Sequence, residues 1–254
     1  VMALGSGWPI LQAHGAEIIH LLTTNNPRNR ADIAAAGAIP KLVALVHAGS
    51  AFTEPFSATI GKDQVRAAEE AAEALWILAF AGGGEENAAA AGVHVKMAAE
   101  GAAAALADLV WRHPSERAVM WAGAALGNLM AVYPRVPSKD SEAVRQQVLS
   151  RQELVTSLVA NLDLRVKSSS ESSKWPSLAT KDMADTSAIA AWGAGQALKN
   201  LALTEAGRTA IIERGGVTKL CKLKGSPDWL EELKGRATLE NLGVECMKVS
   251  DEEL

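Results

Sequence analysis

Five histidines, two cysteines and one tight knot of carboxylates are the side chains in this sequence whose chemistry could go beyond packing. His14, His20, His47, His94 and His113 show no ligand spacing with Cys, Asp or Glu. His14 and His20 are six residues apart and cannot share one face of a helix, so no metal site is expected. Cys221 sits among Lys219, Lys222 and Lys224, which reads as a solvated basic helix end. No histidine pairs with it in the sequence, so a cysteine nucleophile would lack its base. Gly82-Gly83-Gly84 lacks the Lys-Ser/Thr of a phosphate loop and follows no strand, so it reads as an interhelical turn. Glu69, Glu70 and Glu73 could exchange protons as an acid/base pair only inside a closed pocket. They are read as a solvated acidic face. No catalytic set emerges, and neither an enzyme nor a cofactor is expected.

Composition narrows the remaining classes. With 48% hydrophobic residues the chain can bury a continuous core, but only 4% are aromatic, so that core is built from small side chains. Such side chains suit thin helical layers in close approach. A net charge of -4 argues against nucleic acid, which needs a basic stripe. No apolar run reaches the roughly 20 residues that span a bilayer. Two distant cysteines suggest neither a disulfide framework nor a zinc site. They favour an intracellular, reducing compartment: cytoplasmic first, with an organellar or ciliary one also open.

The elements that must carry these residues are announced by repetition. Leu75-Trp76-Ile77-Leu78-Ala79, Leu126-Gly127-Asn128-Leu129-Met130, Leu198-Lys199-Asn200-Leu201-Ala202 and Leu239-Glu240-Asn241-Leu242-Gly243 are four copies of one phrase. Each closes a helical stretch. Ala71, Ala74, Leu75 and Leu78 share one helix face, and the same spacing returns from Ala122 to Leu129 and from Ala194 to Leu201. A second phrase alternates with the first. It reads Ala36-Gly37-Ala38-Ile39-Pro40-Lys41-Leu42-Val43, then Glu100-Gly101 to Leu106, then Arg214-Gly215-Gly216-Val217 to Leu220. The leading Leu recurs from 198 to 239, an interval of 41 residues, which fits a helical array with two or three helices per unit. Intervals of 51 (75 to 126) and 72 (126 to 198) must hold insertions. A helix break is expected between Val46 and Gln64, and a Ser-rich insertion at about 165–186, with Trp175 as its anchor. Pro9 to Leu22 has the character of a closing helix, with Ile18 and Leu21 as its apolar pair, so the array begins in mid-repeat.

These phrases resemble the armadillo repeat family. The Gly-Ala-Ile-Pro-x-Leu-Val-x-Leu-Leu phrase is matched at Gly37 to Val46, Asn-x-x-x-Ile-x-x-x-Gly precedes it from Asn29, and Ala-x-x-Ala-Leu-x-Asn-Leu-Ala lies at Ala194 to Ala202. The opening helices of the second and third units match poorly. The resemblance implies an all-α, right-handed superhelical solenoid, with about four repeats after a partial one. The units would be a partial repeat at 1–24 and repeats at 25–81, 84–133, 141–203 and 204–247, all in one array. It also implies that third helices line a concave groove where Asn side chains pair with a partner's extended backbone. Asn128, Asn200 and Asn241 stand at that position, with His20 and Ile77 interrupting the ladder. One turn earlier, where nuclear-import receptors of the family carry Trp, stand Ala16, Glu73, Ala124, Gln196 and Ala237, which disfavours nuclear-signal binding. Two turns earlier stand Gln12, Glu69, Met120, Trp192 and Leu233.

The expected groove is therefore acidic at Glu69 and Glu73 and apolar at Met120 and Trp192. Trp76 and Trp121 fall off the core stripe and, with Trp175, are candidate partner anchors. The function expected is non-catalytic protein–protein binding by an adaptor or scaffold. The alternative is a fixed structural subunit of a large assembly, axonemal or organellar.

Overall fold

The computed structural model describes residues 1–51, 59–80, 86–112, 115–131, 138–162, 186–224 and 229–246. After a 3-10 turn (Ala3–Gly5), a single helix α1 (Pro9–Thr23) opens the array. Four triplets follow. They are α2 (Pro27–Ala35), α3 (Ala38–Ser50) and α4 (Thr59–Leu78); then α5 (Glu86–Ala99), α6 (Ala102–Arg112) and α7 (Glu116–Met130). The third holds α8 (Ser138–Leu149), α9 (Gln152–Asn161) and α10 (Thr186–Leu201), and the fourth α11 (Glu205–Glu213), α12 (Gly216–Lys224) and α13 (Trp229–Leu242). The closing helices pack in series, α1 on α4, α4 on α7, α7 on α10 and α10 on α13. This is an all-α armadillo-type solenoid, with four repeats after a partial one.

Local chemistry sets the joints. Asn26, Ser115 and Thr204 cap α2, α7 and α11 by accepting a backbone N–H from three residues on, at 3.0, 3.3 and 3.1 Å. The Gly of the second phrase is the elbow between the first and second helix of a triplet. Gly37, Gly101 and Gly215 take φ of 79°, 71° and 72°, a left-handed conformation that a Cβ disfavours. The first of these elbows bends α2 from α3 by 81°.

The Leu pair of each closing phrase is buried. Leu75, Leu78, Leu126, Leu198 and Leu201 are wholly inaccessible, Leu129 nearly so, and Leu239 and Leu242 are buried as well. The middle helix of the same triplet covers them, α3 on α4 and α6 on α7 for example. Polar closure comes from the following triplet, whose first helix sends a basic side chain to the carbonyls where the preceding closing helix ends. His94 Nε2 lies 2.7 Å from the Ala79 oxygen, Arg145 donates to Met130 O at 2.6 Å, and Arg208 donates to Ala202 O at 3.3 Å.

Two expectations are corrected. The break between Val46 and Gln64 is narrower than expected, because α3 runs to Ser50 and α4 starts at Thr59 and takes in Gly61. Cys221 and Cys246, expected to be unpaired, form a disulfide with Cα atoms 5.7 Å apart. The antiparallel α12–α13 pair folds the chain back, so a separation of 25 residues becomes a contact. The cysteines therefore give no support to a reducing compartment. Gly82 to Gly84, His113 and the Ser-rich insertion with Trp175 lie outside the described residues. No single described helix is long and apolar enough to cross a membrane.

Two glycines test the packing in opposite directions. A Cβ on Gly193 would stand 2.3 Å from the Met120 carbonyl oxygen, whereas one on Gly92 in α5 meets nothing within 4 Å. Gly193→Ala should destabilise the fold by about 1–3 kcal/mol, and Gly92→Ala should stabilise it by about 0.5–1 kcal/mol. Urea unfolding followed by circular dichroism reads both. Reducing Cys221–Cys246, or replacing both residues by Ala, should cost about 2–4 kcal/mol. The loss should show in hydrogen exchange as faster opening of α12 and α13, with α3 to α7 unchanged.

Candidate functional site

The three carboxylates of α4 do not form a solvated face. Glu70 and Glu73 are 4% and 7% exposed, and Glu69 is largely covered. The cover comes from the next triplet. Ser115, while capping α7, also donates its hydroxyl to Glu69 Oε1 in a short hydrogen bond. Arg117, in the first turn of α7, donates to Glu70 Oε1 at 3.0 Å and to Glu73 Oε2 at 2.7 Å, and lies 3.7 Å from Glu69 Oε2. From the other side, His20 of α1 brings Nδ1 to 3.4 Å from Glu73 Oε1. One carboxylate thus ties three successive closing helices. At the margin, Glu17 meets His14 at 3.3 Å and Arg66 at 3.5 Å.

The charges do not balance. Three carboxylates share one hydrogen-bonding guanidinium, with His20 beside Glu73 and Arg66 acting on Glu69 from farther off. Burial pushes the carboxyls of Glu69 and Glu73 above the usual value of 4.5, more than Ser115, His20 and Arg117 can lower them. Arg117 keeps 39% of its side chain exposed, His20 20% and Glu69 16%, so the cluster reaches solvent along one edge. The arrangement can hold a cation by charge-assisted hydrogen bonds. Among the described residues no group of His, Cys, Asp and Glu side chains could hold a metal ion.

The three asparagines line up as their spacing requires, one on each successive closing helix. Their amides are engaged within the fold. Asn128 donates to Trp76 O at 3.2 Å, Asn200 to Gly127 O at 2.8 Å and Asn241 to Lys199 O at 3.1 Å. Each acceptor immediately precedes the ladder position of the preceding closing helix. The geometry is that of a stitch between repeats, with the N–H aimed along the array.

Other expected groove residues are displaced. Met120 is 1% exposed because α10 closes on α7 at Gly193, and so it belongs to the core. Trp121 is buried at 6% and is not a surface anchor. Trp76, half-buried, stacks on it with ring centroids 4.6 Å apart, and this pairing across α4 and α7 takes both rings off the surface they were expected to present. Gln196 is half-buried against Gly127. The side chain of Trp192 lies outside the described residues.

Similar architectures exist among solved structures. One engineered protein superposes with a TM-score of 0.65 at 21% identity, covering 96% of this chain and 46% of its own. The chain therefore spans less than half of that structure. A second engineered protein reaches 0.50 at 18% identity, covering 95% of this chain and 96% of its own. The armadillo repeats only protein from Plasmodium falciparum gives 0.56 at 16% identity, over 91% of this chain and 80% of its own. The fold is that of armadillo repeats. No family model matches the sequence, and no curated protein matches it significantly. At these identities the likeness concerns the fold alone.

Within this armadillo-type array, the residues that sequence reasoning missed are Arg117 and Ser115. The readable signal was their place at the start of α7, on the helix adjacent to the carboxylate-bearing α4.

Because burial raises their pKa, Glu69 and Glu73 bind protons more readily folded than unfolded. Between pH 4.5 and their raised folded values, the native state holds the more protons, so their contribution to stability grows as pH falls and shrinks as pH rises. The stability of the parent chain relative to Glu73→Gln should therefore improve from pH 7 to pH 5. Arg117→Met should destabilise by about 3 kcal/mol at pH 7, by leaving buried carboxylates unpaired, and by less at pH 5. Urea midpoints across that range check both.

Proposed function

We propose that this chain is a non-catalytic protein-binding module, an adaptor or scaffold that takes an extended partner segment along the line of its closing helices. The observation that carries this reading is the surplus of negative charge where α1, α4 and α7 meet. Glu69, Glu70 and Glu73 face one Arg117, and a Lys or Arg of the partner would supply the missing cation. Open helical arrays present long surfaces of this kind. The half-buried Asn241 and Gln196 extend the same line beyond the acidic end.

A second reading, a fixed subunit of a larger assembly, is favoured by one feature. Ile18 and Leu21 of α1 are 54% and 64% exposed. Large apolar side chains grouped on one surface mark contact sites.

Panning a displayed random-peptide library on the whole chain tests the first reading. Peptides with a basic residue should be enriched. The double variant Glu69→Gln, Glu73→Gln, with its fold checked by circular dichroism, should bind them about tenfold more weakly, the effect of one lost charge pair. Retention of the same peptides at the same affinity by that variant would refute the acidic groove.

A further inference from the structure

Every residue of α7 from Ala118 onward is buried. Its three expected groove positions, Met120, Ala124 and Asn128, are 1%, 0% and 4% exposed. They follow one another about a turn apart and mark one face of the helix. That face lies inside the molecule. The cause is the joint with α10, where Gly123 and Gly127 of α7 meet Gly193 and Gln196 backbone to backbone. A Cβ on Gly123 would stand 3.0 Å from the Gly193 carbonyl carbon, and one on Gly127 would stand 3.0 Å from that of Gln196. With α4 packed on it as well, α7 keeps no strip of its own surface on which a third backbone could lie.

The same closure reaches α10. Asn200 is 6% exposed, and its Nδ2 donates to Gly127 O at 2.8 Å. A carboxamide that reads a partner's backbone must offer its N–H and its oxygen to a chain about 2.9 Å away. Asn128 and Asn200 are withdrawn from any such chain, and each already donates within the array. What reaches solvent along these helices is a set of separate side-chain tips. From Ala67 to Leu78 of α4, Glu69 and Trp76 alone keep partial exposure, with Arg117 and His20 beside Glu69 and Glu73. From Gly193 to Leu201 of α10, Gln196 and Lys199 alone do so.

We infer, on the basis of the protein-binding reading, that this array recognises its partner through side chains alone and not through a row of backbone-pairing amides. Asn128 and Asn200 hold the repeats together and touch no partner. The partner feature that fits is a basic side chain for Glu69. An apolar neighbour of that side chain, about 10 Å away, meets Trp76, because seven residues of helix separate Glu69 from Trp76. A helix, a turn or a strand can carry such a pair equally well. Recognition of this kind depends on the partner's sequence, whereas an amide ladder pairs with any extended chain.

Two measurements on the whole chain test this, and the first needs no partner. Side-chain amide hydrogen exchange, followed by NMR, should be at least about a hundredfold slower at Asn128 and Asn200 than at the exposed Gln147. Equal rates overturn the inference, because an amide open to solvent is open to a partner. The second uses the basic peptides selected by panning. N-methylation of the peptide bonds on either side of the basic residue should change their affinity by less than about twofold, whereas norleucine in its place should weaken binding about tenfold or more. Asn200→Ala, or Asn128→Ala if that variant does not fold, should lower the urea midpoint and leave the affinity unchanged. A tenfold loss on N-methylation overturns the inference, as does an Asn variant that binds more weakly at an unchanged urea midpoint. A library that returns no basic peptide refutes the acidic groove itself, and the amide exchange rates then decide alone whether the asparagines are closed to a partner.

Discussion

Each triplet in this molecule is completed by a neighbour, and the requirement is both apolar and polar. The closing helices end in a Leu pair that is buried only because a middle helix lies over it. Carbonyls at their ends receive hydrogen bonds from His94, Arg145 and Arg208 of the next triplet. A helix of nine to twenty residues is marginal alone in water. An unsatisfied buried carbonyl costs about 1–3 kcal/mol. The polar account does not close within one triplet, and the closing helices also pack on one another in series, so the array is stable as a chain of pairwise contacts. Ala and Gly on the stacked faces follow from the same need. The approach of α10 to α7 leaves no room for a side chain at Gly193.

The same logic explains what could be read from the sequence and what could not. The Leu pairs and the elbow glycines Gly37, Gly101 and Gly215 are local signals, set by helix period and by a left-handed φ, and they yield the helices and their order. Asn128, Asn200 and Asn241 were legible as an aligned row because the row is a matter of spacing. Their hydrogen-bond partners were not, since an amide serves a peptide ligand or a neighbouring carbonyl equally well. Arg117 escaped because its partners lie 44 to 47 residues upstream on a different helix. The burial of Met120 and Trp121 depends on how closely α10 and α4 approach α7, which no single helix pattern encodes. The disulfide was missed because cysteine spacing carries no information about a hairpin turning back on itself.

Coupling between successive closing helices changes character along the array. From α4 onward, the Asn amides of α7, α10 and α13 reach back to the carbonyl one residue before the preceding ladder position. At the first joint that device is missing, because Ile77 occupies the ladder position of α4. The bridge from His20 through Glu73 to Arg117 takes its place and spans two joints at once. Neutral amides do not titrate, whereas the carboxylates here have their pKa raised by burial. Among the joints between closing helices, the one at the N-terminal end is therefore the one bridged by ionisable side chains.

That asymmetry links binding to shape. A cation from a partner that meets Glu69 or Glu73 would compete with Arg117 for the oxygens that hold α4 to α7. The guanidinium has three carboxylates within reach, and a single one can occupy both of its forked N–H donors. It can therefore shift toward Glu70 without leaving that buried group unpaired. On the proposed reading, the surplus carboxylate would receive an incoming cation while the joint stays closed. A balanced pair could not do this, since engaging one partner would strand the other in a buried site at a cost of about 3–5 kcal/mol. Excess acid at this joint is thus compatible with both a stable repeat stack and a site able to bind.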